Sequence, residues 1–268
     1  MIDAAPRDYA GMKILVNPDA ELASRAAADL LIRAIDRARA IRGRAVLGLA
    51  TGTTPERVYS LLVERHRLGS LSFRDVSTYN LDEYYPISPL DPKSYRAYMH
   101  RCLFSQVDLD AHRAHVLDGT VPEAFAAAHA ADFDRWIEAD GGLDVQLLGI
   151  GRNGHIAFNE PSGLSAQEAL RLPTRLVELH PVTRADAAND FGGQDLVIPR
   201  ALTMGVASIL AARSIVILAT GARKAEIVAR AITGPISAEL PASLLQSVAE
   251  KVTWVIDEEA ARGFDDGD

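Results

Sequence analysis

One glycine-rich segment holds three polar side chains that could transfer protons. It runs from Gly149 to Pro161, reads GIGRNGHIAFNEP and begins at the end of the apolar run Val145–Ile150. His155 lies between Asn153 and Glu160, and neighbours of this kind can fix an imidazole tautomer and tune its pKa near neutrality. A lone histidine usually makes only a structural hydrogen bond, but three polar residues on one loop favour acid–base chemistry. The segment also begins as Gly-x-Gly-x-x-Gly, yet no helical pattern follows, so it matches a dinucleotide site weakly.

A second polar segment, Asn80–Tyr84 (NLDEY), follows the predicted strand Val76–Tyr79 as a loop. A carboxylate at the carboxyl end of a strand can act as a general base when burial or a neighbour tunes its pKa. Asp82 and Glu83 are adjacent, so on an extended chain they point in opposite directions, and only one would face a pocket. Taken alone, an Asp-Glu pair is usually solvated surface.

A third segment, the loop TGTTP at 51–55, joins the predicted strand Ala45–Ala50 to a helix. Glycine permits close backbone approach, threonine offers a hydroxyl group, and a helix amino terminus offers unpaired N–H groups. Four residues could therefore contact a phosphate: Thr51, Gly52, Thr53 and Thr54. The same residues also suit an ordinary helix start with a threonine cap and a proline in the first turn. The sequence alone favours neither interpretation.

Short apolar runs alternate with longer helical patterns throughout the chain. This alternation predicts an α/β fold with a doubly wound, mostly parallel sheet and helices on both faces, Rossmann-like in type. The predicted strands are Lys13–Asn17, Ala45–Ala50, Val76–Tyr79, Val145–Ile150, Ile215–Ala219 and Val252–Ile256. The predicted helices are Ala20–Arg42, one through Val58 and Val63, Ser94–Phe104, Pro122–Asp140, Leu202–Ala212 and Lys224–Ile232. In such sheets ligands bind beyond the carboxyl ends of the strands, where all three polar segments lie.

The composition limits the classes of partner. The 268 residues include 28 basic and 36 acidic side chains, and the net charge of -8 disfavours nucleic-acid binding. No stretch approaches the ~18 apolar residues of a membrane helix, and the first residues do not have a signal-peptide pattern. The one cysteine, Cys102, excludes an internal disulfide. We therefore expect a cytoplasmic protein that binds no membrane or nucleic acid.

Neither a metal site nor a second domain is predicted. His112 and His115 have His-x-x-His spacing but no third ligand in view. The chain shows no internal repeat or linker, which indicates one α/β domain over residues 1–268. Within it, the polar segment 162–195 is a candidate lid.

Taken together, these segments resemble the glucosamine-6-phosphate deaminase (isomerase) family. The matching pieces follow the family's order between about residues 13 and 257, leaving 1–12 and 258–268 as terminal extensions: GLATGTTPERVY, NLDEYYPI, SYRAYMHRCLF, GIGRNGHIAFNEP, ALTMGVASIL, ATGARKAEIV and PASLLQ. The resemblance implies a sheet of the sugar-phosphate isomerase type. It also implies conversion of glucosamine 6-phosphate and water to fructose 6-phosphate and ammonia, without a cofactor.

The resemblance further implies roles for single residues. Asp82 matches the family's proton acceptor, which takes a proton from C2 and returns it to C1. His155 matches the base that helps to open the pyranose ring, and Glu160 matches the acidic residue that supports this histidine. Asn153 falls where some members have aspartate and others asparagine. The positions that match the substrate and phosphate site are Thr51, Gly52, Thr53, Thr54, Gly149 and Lys224.

Two positions depart from the family pattern. Asn189 stands where the family usually has an arginine that contacts the substrate phosphate, and loss of that contact weakens anion binding unless another residue replaces it. Arg184 and Arg152 are the candidate replacements. Val177 stands where allosterically activated members have a basic residue, so allosteric control is not expected.

Other functions stay open at this point. The missing arginine is compatible with a deaminase of galactosamine 6-phosphate or of an unphosphorylated amino sugar. A 6-phosphogluconolactonase would share the sheet, although that family typically has a serine-rich segment after its Gly-His pair. A non-catalytic sugar-phosphate-binding module is the third alternative. The expected partner in each phosphorylated case is a small sugar phosphate; a homo-oligomer is compatible with the resemblance, and no interface signature selects one.

Overall fold

A large, mostly parallel sheet forms the centre of the protein, whose computed structural model describes residues 7–263. Its strands in spatial order are β1 (Arg7–Tyr9), β2 (Met12–Asn17), β11 (Val252–Asp257), β10 (Ile215–Ala219), β7 (Val145–Leu148), β3 (Ala45–Leu49), β4 (Val76–Asn80) and β6 (Ala114–His115). The pair β1–β2 is antiparallel, and the other pairs of this sheet are parallel. The predicted fold class is confirmed.

Helices cover both faces of this sheet. They are α1 (Ala20–Arg42), α2 (Thr53–Arg67), α3 (Tyr95–Cys102), α4 (Glu123–Ala139), α5 (Ala166–Ala169), α6 (Pro181–Phe191), α7 (Val206–Leu210), α8 (Ala225–Thr233) and α9 (Glu258–Ala261). Every residue of β3, β4, β7 and β10 is buried. Burial on both faces explains why β3, β7 and β10 are almost entirely apolar in sequence. Within residues 7–263, no helix is long and apolar enough to cross a membrane.

Local signals set the ends of α1 where the sequence predicted them. The side chain of Asp19 caps the first turn by accepting a hydrogen bond from the backbone N–H of Leu22 at 2.8 Å. Gly43 ends the helix in the left-handed conformation, with φ of 70°. Between these caps the apolar stripe that includes Leu31 and Ile35 is fully buried against the sheet.

A small antiparallel sheet contains β5 (Asp82–Tyr85), β9 (Arg200–Thr203) and β8 (Arg175–Glu178), with β9 in the middle. One residue, Leu81, connects it to the large sheet. The backbone N–H of Leu81 donates to the carbonyl of Leu49 in β3 at 3.1 Å, and its own carbonyl accepts from Met204 N–H at 2.6 Å. The chain therefore leaves one sheet and enters the other within a single residue.

Two predictions about local structure were wrong. The segment Asn80–Tyr84 was expected to be a loop, but Asn80 ends β4 and β5 begins at Asp82. Leu202–Ala212 was expected to be one helix, but its start belongs to β9 and only Val206–Leu210 is helical. Short apolar runs fit both strand and helix patterns, and here pairing with β5 and β8 decides between them.

Segment 162–195 is more ordered in secondary structure than its polar composition suggested. It contains α5, α6 and the strand β8, which pairs with β9. Its action as a lid stays a prediction.

Close packing at Gly48 leads to a testable prediction about stability. A Cβ atom at Gly48 in β3 would lie 1.9 Å from Oε1 of the buried Gln146 side chain in β7. We expect Gly48→Ala to lower the free energy of unfolding by ~1–3 kcal/mol through overpacking. Thermal and urea unfolding would measure this loss. In the Gln146→Ala background, the same change at Gly48 should cost much less, and an equal cost in both backgrounds would contradict this explanation.

Candidate active site

Four polar segments meet at one edge of the large sheet. The order β10-β7-β3-β4 brings together the carboxyl ends of these parallel strands. The segments that follow them are 220–224, 149–161, 51–54 and the junction at Leu81–Asp82. This is the edge at which α/β sheets usually bind ligands. The structure therefore places the three polar segments of the sequence, together with Lys224, around one region.

His155 is held in one tautomer by the residues on its own loop. Its Nδ1 lies 2.7 Å from Oδ1 of Asn153, whose Nδ2 donates to Oε2 of Glu160 at 2.9 Å. Because the amide oxygen of Asn153 can only accept, Nδ1 of His155 carries the proton. The other ring nitrogen, Nε2, is then unprotonated in the neutral imidazole and can act as a base.

Glu160 is fixed as a carboxylate by its surroundings. Its Oε1 accepts from the Thr183 hydroxyl at 2.6 Å and from the backbone N–H of His180 at 3.3 Å. Nδ1 of His155 lies 3.4 Å from Oε2. Burial alone would raise the pKa of Glu160, but the hydrogen bond and charge of a protonated His155, with the hydrogen bonds from Thr183 and Asn153, outweigh it and lower the pKa to about 2.

The loop that holds His155 depends on glycine and on anchoring to β9. A Cβ at Gly151 would lie 2.2 Å from Cε1 of His155, so the imidazole packs directly against this glycine. Gly154 has φ of 85°, a conformation that favours glycine. Further along, the backbone N–H of Phe158 donates to Oγ1 of Thr203 at 3.0 Å. Thr203 is the β9 residue that pairs with Asp82, so its side chain connects the loop of His155 to the strand pair that holds Asp82.

Asp82 is an almost fully buried carboxyl group, 5% exposed. Burial, followed by repulsion from Glu83, raises its pKa to about 8, although a hydrogen bond with Thr51 acts in the opposite direction. Its Oδ1 makes no hydrogen bond within the described part of the chain. Asp82 therefore combines raised basicity with a free oxygen, as a general base requires.

Glu83 points to the other side, as the alternation along a strand predicts. Its carboxylate accepts from the Ser94 hydroxyl at 2.6 Å and from the backbone N–H groups of Tyr95 and Arg96 at 2.9 and 3.0 Å. It therefore binds the amino terminus of α3, where a negative charge is favourable. The interpretation of Asp82 and Glu83 as solvated surface is wrong, because both are buried.

The phosphate-loop candidates form a helix start without a side-chain cap. Gly52 is the N-cap of α2, with φ of 104°, and no side chain caps this end. The interpretation as an ordinary threonine-capped helix is therefore wrong, and the first N–H groups of α2 can bind an anion. The Tyr98 hydroxyl donates to the carbonyl of Gly52 at 2.7 Å and fixes the loop to α3. Thr53 and Thr54 line a cavity of about 690 Å³.

Lys224 lines the same cavity from the segment after β10. Its Nζ donates to the carbonyl of Ile150 at 2.6 Å, and burial lowers its pKa. Gly149 lies between β7 and this carbonyl, and no atom lies within 4 Å of the position a Cβ would take there. There is therefore open space at Gly149, next to the residue whose carbonyl binds the ammonium group of Lys224.

The arginine candidates lie in different surroundings. Arg184 is engaged with another segment, because its Nη2 donates to the carbonyl of Gln194 at 3.3 Å. Asn189 is exposed on α6. Arg152, by contrast, forms an ion pair with Asp186 of α6. Among residues 7–263, no group of three or more His, Cys, Asp or Glu side chains could hold a metal ion.

Comparison with known proteins gives this site its family context. A family model of glucosamine-6-phosphate isomerases/6-phosphogluconolactonase matches residues 18–254. The chain belongs to this family. It is 47% identical to the glucosamine-6-phosphate deaminase of Rhodopirellula baltica, over 95% of this chain and 96% of that protein. A solved monomeric glucosamine-6-phosphate deaminase matches with a TM-score of 0.86 and 39% identity, over 94% of this chain and all of that one. The 6-phosphogluconolactonase of Trypanosoma brucei matches with a TM-score of 0.78 and 20% identity, over 96% of this chain and all of that one. At this identity the match shows the fold alone.

The resemblance predicted from the motifs is confirmed, but two residues near the site of this family member were not predicted. Thr183 contacts both Glu160 and His155 from α6, at 2.6 and 3.2 Å. Glu83 ties the strand of Asp82 to α3. Thr183 lies 23 residues from Glu160 in the chain, and no local spacing reveals such a contact. The adjacency of Glu83 to Asp82 was visible, but its helix-capping role was not.

The burial of Asp82 leads to a testable prediction about stability and pH. Its pKa rises from 3.8 to about 8 in the folded protein, so between these values the folded state holds a proton that the unfolded state has lost. This carboxyl therefore lowers stability as pH rises through that window, by up to ~1.4 kcal/mol for each pH unit. We expect the melting temperature of Asp82→Asn, relative to the natural protein, to increase from pH 5 to pH 8.

Any constant cost of the amide cancels in this comparison, because only the trend with pH is measured. Differential scanning fluorimetry or calorimetry at several pH values provides the readout. The control Glu168→Gln changes an exposed carboxylate in the short helix α5, and it should not give an upward trend with pH. A difference that stays flat for Asp82→Asn would contradict the predicted burial effect.

Proposed function

We propose that this chain is a glucosamine-6-phosphate deaminase. It converts glucosamine 6-phosphate and water to fructose 6-phosphate and ammonia. The observation that carries the proposal is the buried Asp82, with one unpartnered oxygen, at the sheet edge that also holds the His155–Glu160 pair. The 39–47% identity to named deaminases over nearly the whole chain supports the same assignment.

His155 opens the sugar ring in this proposal. Its Nε2 takes the proton of the C1 hydroxyl, and the imidazolium then returns a proton to the ring oxygen as the C1–O5 bond breaks. Glu160, with its lowered pKa, stays ionised and stabilises the imidazolium at a distance of 3.4 Å. Asn153 accepts from Nδ1 and orients the ring without adding charge.

Asp82 carries out the enolisation. As a carboxylate it removes the proton from C2, and the C–H electrons form the C1=C2 double bond. The C1 oxygen takes a proton from the substrate's ammonium group, which gives a neutral enolamine. The resulting carboxylic acid of Asp82 returns its proton to C1, which leaves a protonated imine at C2. Water adds to this imine, and ammonia leaves as the C2–N bond breaks. Proton transfers of this kind are typically accelerated ~10²–10⁴-fold by a positioned side chain.

The phosphate binds at the start of α2 in this proposal. Thr51, Gly52, Thr53 and Thr54 offer hydroxyl and N–H donors, and Lys224 offers positive charge across the cavity. Gly149 leaves space for the sugar beside Lys224. The substrate is a charged sugar phosphate, which a cell retains, so we place the enzyme in the cytoplasm. Segment 162–195 is the proposed lid, because α6 delivers Thr183 to the His155–Glu160 pair.

Ammonia release from glucosamine 6-phosphate tests this function. We expect turnover by the natural protein, a loss of ~10³-fold or more in kcat for Asp82→Asn, and a loss of ~10²–10⁴-fold for His155→Gln. The variants should keep the circular dichroism spectrum of the natural protein.

Galactosamine 6-phosphate, glucosamine and 6-phosphogluconolactone serve as the comparison substrates. Full activity in Asp82→Asn would overturn its role as base. Faster hydrolysis of the lactone than release of ammonia would assign the chain to the other activity named in its family.

A further inference from the structure

The sheet order places the loop of Arg152 between the two parts of the phosphate site. β7 lies between β3, which leads to Thr51–Thr54, and β10, which leads to Lys224. The segment after β7 runs through Gly149 and Ile150 to Arg152, and Lys224 binds the Ile150 carbonyl. Arg152 therefore leaves the sheet at the strand next to both parts of the proposed phosphate site.

The charges around Arg152 favour an anion. With Arg223 and Arg230 it lines a cavity of about 370 Å³, where Glu226, which pairs with Arg230, is the one acidic lining residue among those the structure describes. Arg223 also lines the larger cavity beside Lys224. Both Arg152 and Asp186 act electrostatically on Lys224: the carboxylate raises its pKa and the guanidinium lowers it. Asp186 is also the carboxylate that forms an ion pair with Arg152.

The ion pair between Arg152 and Asp186 can exchange for another anion. Nη2 of Arg152 lies 2.6 Å from Oδ1 of Asp186, and the two side chains are 52% and 39% exposed. Water screens a pair this exposed, so it is held weakly. A phosphate offers the same guanidinium a doubly charged, bidentate partner.

Helix α6 does not supply, at Arg184 or at Asn189, the positive charge that would bind the phosphate. Arg184 is engaged with Gln194, and Asn189 has no charge. The residues of α6 that contact the site are Thr183 and Asp186, and Asp186 is itself anionic.

We propose that Arg152 binds the substrate phosphate and selects phosphorylated amino sugars. Asp186 holds Arg152 until the phosphate enters and then releases it. This inference rests on the proposed function for its substrate but concerns a residue that the reaction steps do not use.

Two substitutions on the same ion pair distinguish phosphate binding from a structural role. Arg152→Met should raise the KM for glucosamine 6-phosphate about 10-fold or more, with kcat changed less than ~3-fold because the reacting groups stay in place. Asp186→Asn should leave this KM unchanged or lower it, because it frees Arg152. The control Arg135→Met removes an arginine that pairs with Asp132 on α4, and its KM should not change.

Equal increases of KM in Arg152→Met and Asp186→Asn would overturn the proposal, because the loss of either partner of a purely structural ion pair has the same effect. An unchanged KM in Arg152→Met would overturn it as well. Inorganic phosphate binding, measured by calorimetry, separates this inference from the proposed function. If the natural protein releases no ammonia, the proposed function fails, while weaker phosphate binding by Arg152→Met than by Arg135→Met would still support Arg152 as the phosphate ligand.

Discussion

The backbone hydrogen bonds of Leu81 are the constraint on which the site depends. Through its N–H this residue still belongs to the large parallel sheet, and through its carbonyl it already belongs to the small one. The next residue, Asp82, is consequently held between two rigid sheets rather than on a flexible loop. A backbone fixed in this way can keep a carboxyl group buried with one oxygen unpaired, although such burial costs stability.

The two carboxylates of the site show how surroundings assign different tasks to similar groups. Glu160 receives hydrogen bonds from Thr183, Asn153 and the His180 backbone, which stabilise its charge. Asp82 receives far less support, and its pKa rises instead of falling. The first is suited to hold a charge steadily, and the second to accept and return a proton. Environments that separate two pKa values are a usual sign of divided acid–base roles.

The sequence predicted the parallel sheet well, because buried strands there form runs of apolar residues with clear helices between them. It failed where strands are short and pair only over a distance, as in β5, β8 and β9. The motif residues Asp82, His155 and Glu160 were identifiable because they lie in polar segments that follow predicted strands and that match the motifs of the family. Thr183 and the pairing of Arg152 with Asp186 were not, since they arise only when α6 packs beside the loop after β7. Side-chain contacts between distant segments have no local pattern.

Helix α3 contacts both ends of the region in which the sugar would lie. Its amino terminus binds Glu83, next to Asp82, and one turn later Tyr98 binds the carbonyl of Gly52 at the start of α2. A helix that touches both points fixes the distance between the proposed phosphate site and the carboxyl group of Asp82. Discrimination by molecular length follows: a sugar with one carbon fewer between its phosphate and its C2 would reach one contact and miss the other.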